Sequence, residues 1–334
     1  MNRLRAAFAL HDPALLDRLF DGPARARLEE LVDLDPEVVT DLDDGRGLRA
    51  LGEVEVLITG WGAPRLDEAT LAHAPRLRAV VHTAGTVKSF VTEAVWSRGI
   101  QVSSAAEANA RPVAEYTLAM VLLAGKRVFE ATAAYRRLGS LAAAAPASAC
   151  GNNGLTVGIV GASRTGRQVI ELLRPFDVDV LLHDPFVDRA GAGALGAVKV
   201  ALDDLLRDSD VVSLHAPSLP ETYRMIGARE LALMADGSTL LNTARGALVD
   251  TAALTAEILT GRLRAVLDVT DPEPLPHGHP LYSAEGVLLT PHVAGSLGNE
   301  LYRLGASAVA ELERLAAGLE VAHPVRAEHL ATTA

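Results

Sequence analysis

Three side chains, far apart along the chain, have the chemistry to act as a set. Arg245 follows the run LLNTA, Glu273 follows AVLDVTDP, and His292 closes VLLTP. A guanidinium can grip a carboxylate through two parallel hydrogen bonds. An imidazole titrates near neutrality and can give or take a proton. A carboxylate beside that imidazole stabilises its protonated form. Taken singly, each has a plain explanation: a surface cation, a solvated loop acid, a turn residue after Pro291. Their shared placement, each just beyond a short apolar run, is harder to dismiss. In an open parallel sheet, ligands bind beyond the carboxyl ends of the strands.

The elements that must position this set can be read from pattern. Short apolar runs alternate with amphipathic stretches through most of the chain, which predicts βαβ units and parallel sheets. In the first hundred residues the strand candidates are LRAAFAL, PEVVT, VEVLITG, LRAVVHT and IQVSS. A long helical pattern, RPVAEYTLAMVLLAGKRVFEATAAYRRL, follows, with Pro112 at its first turn. The small, uncharged stretch GSLAAAAPASACGNNG then reads as a linker or surface loop. A second series contains LTVGIVG, DVDVLLHD, VVSLHAP, STLLNTA, AVLDVT and GVLLTPH, six strands with helices near 165–175, 201–208, 222–234 and 251–260. The last helical stretch, NELYRLGASAVAELERLAAG, is placed to return to the first domain.

Within that second series, TVGIVGASRTG has the form of a phosphate-binding turn. Gly161 allows the tight turn and Gly166 lets helix and strand pack closely. Ser163 stands where a middle glycine would let the backbone approach a pyrophosphate, so a shifted or weaker grip is expected. Asp184 ends the next strand, 18 residues after Gly166, where an acid accepts hydrogen bonds from ribose hydroxyls. Pro185 and Phe186 bring no positive charge to hold a 2′-phosphate, which favours NAD over NADP. Beside a nicotinamide, the Arg/Glu/His set is equipment for carbonyl/alcohol interconversion on a 2-oxo acid.

Bulk properties bound the alternatives. The chain has 334 residues, 49% hydrophobic and 22% charged, with a formal net charge of −11. That length suits two domains, and that charge argues against nucleic acid as a partner. The single cysteine, Cys150, excludes an intramolecular disulfide and a cysteine metal site, and suggests a reducing, cytoplasmic setting. No run is long enough to cross a membrane.

Together, TVGIVGASRTG, LHDP, LHAP, NTARGALVD, LDVTDPEPLP and LLTPHVAGS resemble the D-isomer-specific 2-hydroxyacid dehydrogenases, over nearly all of residues 105–296. The resemblance implies two Rossmann-like α/β domains with parallel sheets and a cleft between them. The smaller, flavodoxin-like substrate domain is discontinuous, residues 1–105 plus 297–334, and the NAD-binding domain is 106–296. It implies that Arg245 binds the substrate carboxylate, that His292 is the acid/base and that Glu273 partners it. Glutamine stands at this last position in formate dehydrogenases. The implied cofactor contacts are Gly161, Ser163, Arg164, Thr165, Gly166, Asp184, His215, Ala216, Pro217, Thr243, Ala244, Asp268 and His292. Asp268 would hold the carboxamide, and His215, Ala216 and Pro217 would line the adenosine side. Substrate contacts would be Ala84, Gly85, Thr86, Arg245 and His292. A homodimer would form through 106–138, and the partner would be a small 2-oxo or 2-hydroxy acid. The loop HTAGTVKSF departs from the family pattern at Val87, Ser89 and Phe90; Ser89 could cap the next helix, and Trp61 could wall the cleft. Two alternatives stay open: action on a phosphorus-containing or other unusual acid, and a dinucleotide-sensing protein with weak catalysis.

Overall fold

The computed structural model describes residues 3–144 and 150–330. Residues 145–149 of the expected linker, with Pro146, lie outside the described residues. The chain forms two compact units. One is built from both ends, up to Asn109 and from Ser296 onward; the other is Ala110–Gly295.

The first unit holds β1 (Leu4–Ala9), β2 (Val32–Leu34), β3 (Val56–Thr59), β4 (Ala79–His82) and β5 (Gln101–Ser104). They lie in the order β2-β1-β3-β4-β5, all parallel. Side chains alternate across a strand: Leu4, Ala6 and Phe8 enter one core cluster, while Ala7 and Ala9 enter the cluster on the opposite face. The Leu301–Ala316 helix covers the first face with Leu301, Leu304, Ala308, Leu312 and Leu315, a stripe at helical spacing. Gly305 on that helix lets the backbones meet, since a Cβ there would sit 1.9 Å from the Leu19 carbonyl oxygen. The run PEVVT is not a strand. Pro36 has no N–H to donate to a ladder, and Val39 forms only an isolated bridge with Ala9, while Val32–Leu34 pairs with β1 instead.

The second unit holds β6 (Leu155–Val160), β7 (Val178–His183), β8 (Val198–Lys199), β9 (Val211–Leu214), β10 (Thr239–Asn242), β11 (Arg264–Leu267) and β12 (Val287–Leu289). The order is β12-β11-β10-β9-β6-β7-β8, parallel throughout. This is one strand more than expected, because β8 is a two-residue edge too short to carry a pattern. The strand order reverses between β6 and β9, the switch point at which such sheets bind ligands.

The long helical pattern resolves into two helices, Ala106–Gly125 and Val128–Leu138, broken where Arg127 takes a left-handed φ of 54°. The first starts five residues before the expected RPVAEY, so Pro112 is internal and not in the first turn. The helix Glu93–Ser97 is preceded by Thr92, and Ser89 lies in the turn before it without capping it.

Candidate active site

The Ala110–Gly295 unit brings most of the chemistry-bearing residues to one sheet edge. The glycine turn follows β6, Asp184 follows β7, and His215 follows β9. Arg245 lies beyond β10, Asp268 and Glu273 beyond β11, and His292 beyond β12. Because all seven strands are parallel, these loops share the carboxyl edge, and β10, β11 and β12 are direct neighbours.

His292 and Glu273 meet: Nδ1 lies 2.7 Å from Oε1, with both side chains about half exposed. A carboxylate only accepts, so Nδ1 carries the proton of this bond. Nε2 is left as the nitrogen that can exchange a proton with a ligand. The His292 backbone is left-handed, φ 54°, a region few side chains adopt though histidine is among those enriched there. Its N–H donates to the carbonyls of Asp268 and Thr290, both at 3.0 Å.

Asp268, only 2% exposed, is the anchor of this loop. Its Oδ1 accepts from Thr290 Oγ1 at 2.6 Å and Val293 N at 2.8 Å, and its Oδ2 accepts from Ala294 N at 2.9 Å. A carboxylate offers about four acceptor positions, so one on Oδ2 is left for a ligand donor. The Arg245 Nη1 donates to the Ala244 carbonyl at 2.7 Å, which braces one arm of the guanidinium. Asn242 braces the same turn, its Nδ2 donating to the Arg245 carbonyl and its Oδ1 accepting from Ala244 N.

At the glycine turn, Gly161 has φ 99°, and a Cβ there would lie 2.7 Å from Ala216 N. A Cβ on Gly166 would lie 2.1 Å from the Gly161 carbonyl oxygen. Both glycines are therefore demanded by backbone packing. Ser163 is the N-cap of the Arg164–Leu173 helix, its Oγ accepting from Gly166 N at 3.3 Å. Arg164 and Thr165 form the first turn behind it, where the helix dipole favours an anion. Asp184 accepts from Ala162 N at 2.7 Å through Oδ2 and from Phe186 N at 2.8 Å through Oδ1, and so ties the turn to the end of β7. His215 is buried, its Nε2 2.9 Å from Ser213 Oγ, and burial lowers its pKa to about 3. Its ring thus faces the sheet, and its backbone and that of Ala216 pack on Gly161.

The first unit carries the other loop. Ala84 is buried, Gly85 half-buried and Thr86 exposed, directly after β4. Two of the three residues that depart from the family pattern are structural: Val87 and Phe90 are 1% and 2% exposed and enter the core, whereas Ser89 is exposed. Buried His82 anchors the loop from below. Its Nδ1 is 2.9 Å from Thr59 Oγ1, and its ring lies 4.8 Å from that of Phe90. Burial drives its pKa down to about 3, against a smaller opposing effect of a hydrogen bond with the Thr86 backbone. Trp61, after β3, is 45% exposed.

Three contributors escaped the sequence reading: Tyr116, Thr117 and Thr290. Tyr116 OH is 2.7 Å from Thr290 Oγ1, and Thr117 Oγ1 is 3.1 Å from Thr243 Oγ1. The only written signal is a pair of threonines, Thr243 and Thr290, each two residues before a chemically capable side chain. Among the described residues no group of three or more His, Cys, Asp or Glu side chains could hold a metal ion. None of the described helices is long and apolar enough to cross a membrane.

The D-isomer specific 2-hydroxyacid dehydrogenase NAD binding domain matches residues 118–294, more than half of the chain. The chain is 35% identical over 300 residues to a D-3-phosphoglycerate dehydrogenase of Mycobacterium leprae, covering 90% of this chain and 52% of that protein. It is 35% identical over 260 residues to a glyoxylate reductase of Aeropyrum pernix, covering 76% and 78%. The crystal structure of a Thermus thermophilus protein superposes with a TM-score of 0.74 at 35% identity, covering 97% of this chain and all of that one. The chain spans about half the length of the curated phosphoglycerate dehydrogenases it matches. On these matches, and with a fold and motif set that agree with them, the chain belongs to the D-isomer specific 2-hydroxyacid dehydrogenase family.

Proposed function

We propose that this protein is an NAD-dependent oxidoreductase that interconverts a 2-oxo acid and a D-2-hydroxy acid. The observation that carries the proposal is the 2.7 Å His292–Glu273 pair on the same sheet edge as Arg245 and the glycine turn. The residues fit a dinucleotide: a crowded two-glycine turn opens a ten-residue helix, an acid ends β7, and Asp268 keeps one acceptor position. Gly161, Ser163, Arg164, Thr165 and Gly166 would hold its phosphates, and Asp184 its adenosine ribose. Ala216 and Pro217, with the His215 backbone, would line the adenosine side. Thr243, Ala244 and Asp268 would border the nicotinamide. When bound, NAD takes up or delivers the hydride.

Arg245 binds the substrate carboxylate and polarises the carbonyl that becomes the alcohol. His292 Nε2 donates the proton to that oxygen in reduction and removes it in oxidation. Glu273 holds the ring and its tautomer through Nδ1, which leaves Nε2 for the substrate oxygen. Ala84, Gly85 and Thr86 are proposed as further substrate contacts. A homodimer through 106–138 is part of the same reading. Its support is the Val128–Leu138 helix, which buries no residue in this chain and exposes Tyr135 and Leu138. A cytoplasmic location is supported by the single cysteine.

The deciding experiment follows NADH consumption with glyoxylate, hydroxypyruvate, pyruvate and bulkier 2-oxo acids, each repeated with NADPH. Arg245→Ala is expected to lower turnover on the order of 10²-fold or more, and His292→Ala to abolish it while NADH still binds. Tight NADH binding with no turnover on any acid would replace the enzyme by a dinucleotide sensor.

A further inference from the structure

Two neighbouring side chains on the Ala106–Gly125 helix reach two different strand ends of the same sheet. Tyr116 OH lies 2.7 Å from Thr290 Oγ1 at the end of β12, and Thr117 Oγ1 lies 3.1 Å from Thr243 Oγ1 at the end of β10. Thr290 is two residues before His292, and Thr243 is two residues before Arg245. All of these residues lie in the Ala110–Gly295 unit.

The direction of the first chain of bonds follows from donor and acceptor inventory. Thr290 has one hydroxyl proton, and its 2.6 Å partner Asp268 Oδ1 can only accept. That proton therefore points to Asp268, and Tyr116 must donate to Thr290. The run Tyr116 O–H, Thr290 O–H, Asp268 carboxylate is aligned head to tail, an arrangement in which each bond strengthens the next. The same carboxylate holds Val293 N and Ala294 N. The left-handed His292 is thus fixed on both sides, by Thr290 before it and by Val293 and Ala294 after it. Such a backbone persists only where its surroundings over-determine it. Thr117 is fully buried, so its hydroxyl has no water to turn to in place of Thr243.

We propose that Tyr116 and Thr117 form a two-point staple, in which one helix turn sets the His292 loop through Thr290 and Asp268 and the Arg245 turn through Thr243. Both are positioning residues; neither touches the reacting atoms. The proposal rests on the oxidoreductase reading for its kinetic consequences, but not for the staple itself.

The test uses Tyr116→Phe and Thr117→Val in the full chain, with two readouts. The first is amide hydrogen exchange without cofactor. Loss of one such hydrogen bond loosens what it holds about fivefold. Tyr116→Phe is expected to speed exchange across 290–294 by that factor, and Thr117→Val across 243–246, each leaving the other segment unchanged. The second is steady-state kinetics. Tyr116→Phe is expected to lower kcat about fivefold with KM for the 2-oxo acid within about twofold, because it disturbs the proton donor. Thr117→Val is expected to raise KM about fivefold with kcat within about twofold, because it disturbs the carboxylate site. Tyr116→Phe in a Thr290→Val background should add nothing, since its only route is gone. Wild-type exchange in both segments, or equal effects of Tyr116→Phe with and without Thr290, would overturn the staple. If the wild type turns over no 2-oxo acid, the oxidoreductase reading falls, and the exchange measurements still decide the staple.

Discussion

Acidification should weaken the first unit through one residue, His82. Its imidazole is buried and neutral, with a pKa of about 3 in the folded protein. In the unfolded chain a histidine titrates near about 6.5. Below that value the unfolded chain binds a proton that the folded one refuses. The stabilising contribution is therefore complete above about pH 6.5 and is lost as pH falls towards 3, at about 1.4 kcal/mol per unit. Between pH 7 and pH 5 the loss is about 2 kcal/mol. Asp67, whose carboxylate is held below its ordinary range by hydrogen bonds from Thr70, acts only below about pH 4 and stays outside this window. The protein's two tryptophans, Trp61 and Trp96, both lie in the same unit as His82, so their fluorescence reports its unfolding selectively. With a urea slope of about 2 kcal/mol per molar, the midpoint should fall by about 1 M between the two pH values. His82→Gln and His82→Phe will lower stability at pH 7, but the difference between pH 7 and pH 5 should shrink by about 2 kcal/mol in both. An unchanged pH difference in those variants would refute the reasoning, whatever their absolute stability.

Other outcomes follow from the second unit. Gly161→Ala forces a Cβ onto Ala216 N at a φ of 99°; NADH affinity, read by fluorescence titration, should drop about tenfold or more, as strain of a few kcal/mol implies. Ser163→Ala removes the acceptor that caps Gly166 N and should cost about 1 kcal/mol of stability in thermal unfolding. Ser163→Gly should cost only a few tenths of a kcal/mol while tightening NADH, because the Cβ beside the phosphate site is gone. Glu273→Gln keeps a hydrogen-bond partner for His292 but loses the charge. Since the pair is half exposed, kcat should fall only about tenfold, at the low end of or below the roughly 10²- to 10⁴-fold worth of a general acid. The Ser163→Gly effect on NADH is read by the same fluorescence titration, and the Glu273→Gln effect by steady-state kinetics.

The alternation of apolar runs and helices was sufficient to read two parallel α/β sheets, because a strand buried on both faces has to be apolar along its length. The strand ends, and with them the sheet edge that carries Arg245, Asp268, Glu273 and His292, follow from that same regularity. What pattern could not reach was anything short or long-range. The edge strand β8 has two residues, below the length at which a period exists, and β2 follows the Gly22–Leu31 helix with no turn between them to mark its start. PEVVT has the composition of a strand, yet competition for the edge of β1 went to Val32–Leu34. The break at Arg127 and the earlier start of the Ala106–Gly125 helix depend on what those residues pack against, so propensity alone misplaced them. The bond between Tyr116 and Thr290 spans 174 residues of sequence. No local spacing encodes such a contact; it exists only because the folded sheet brings the end of β12 beneath one turn of a distant helix.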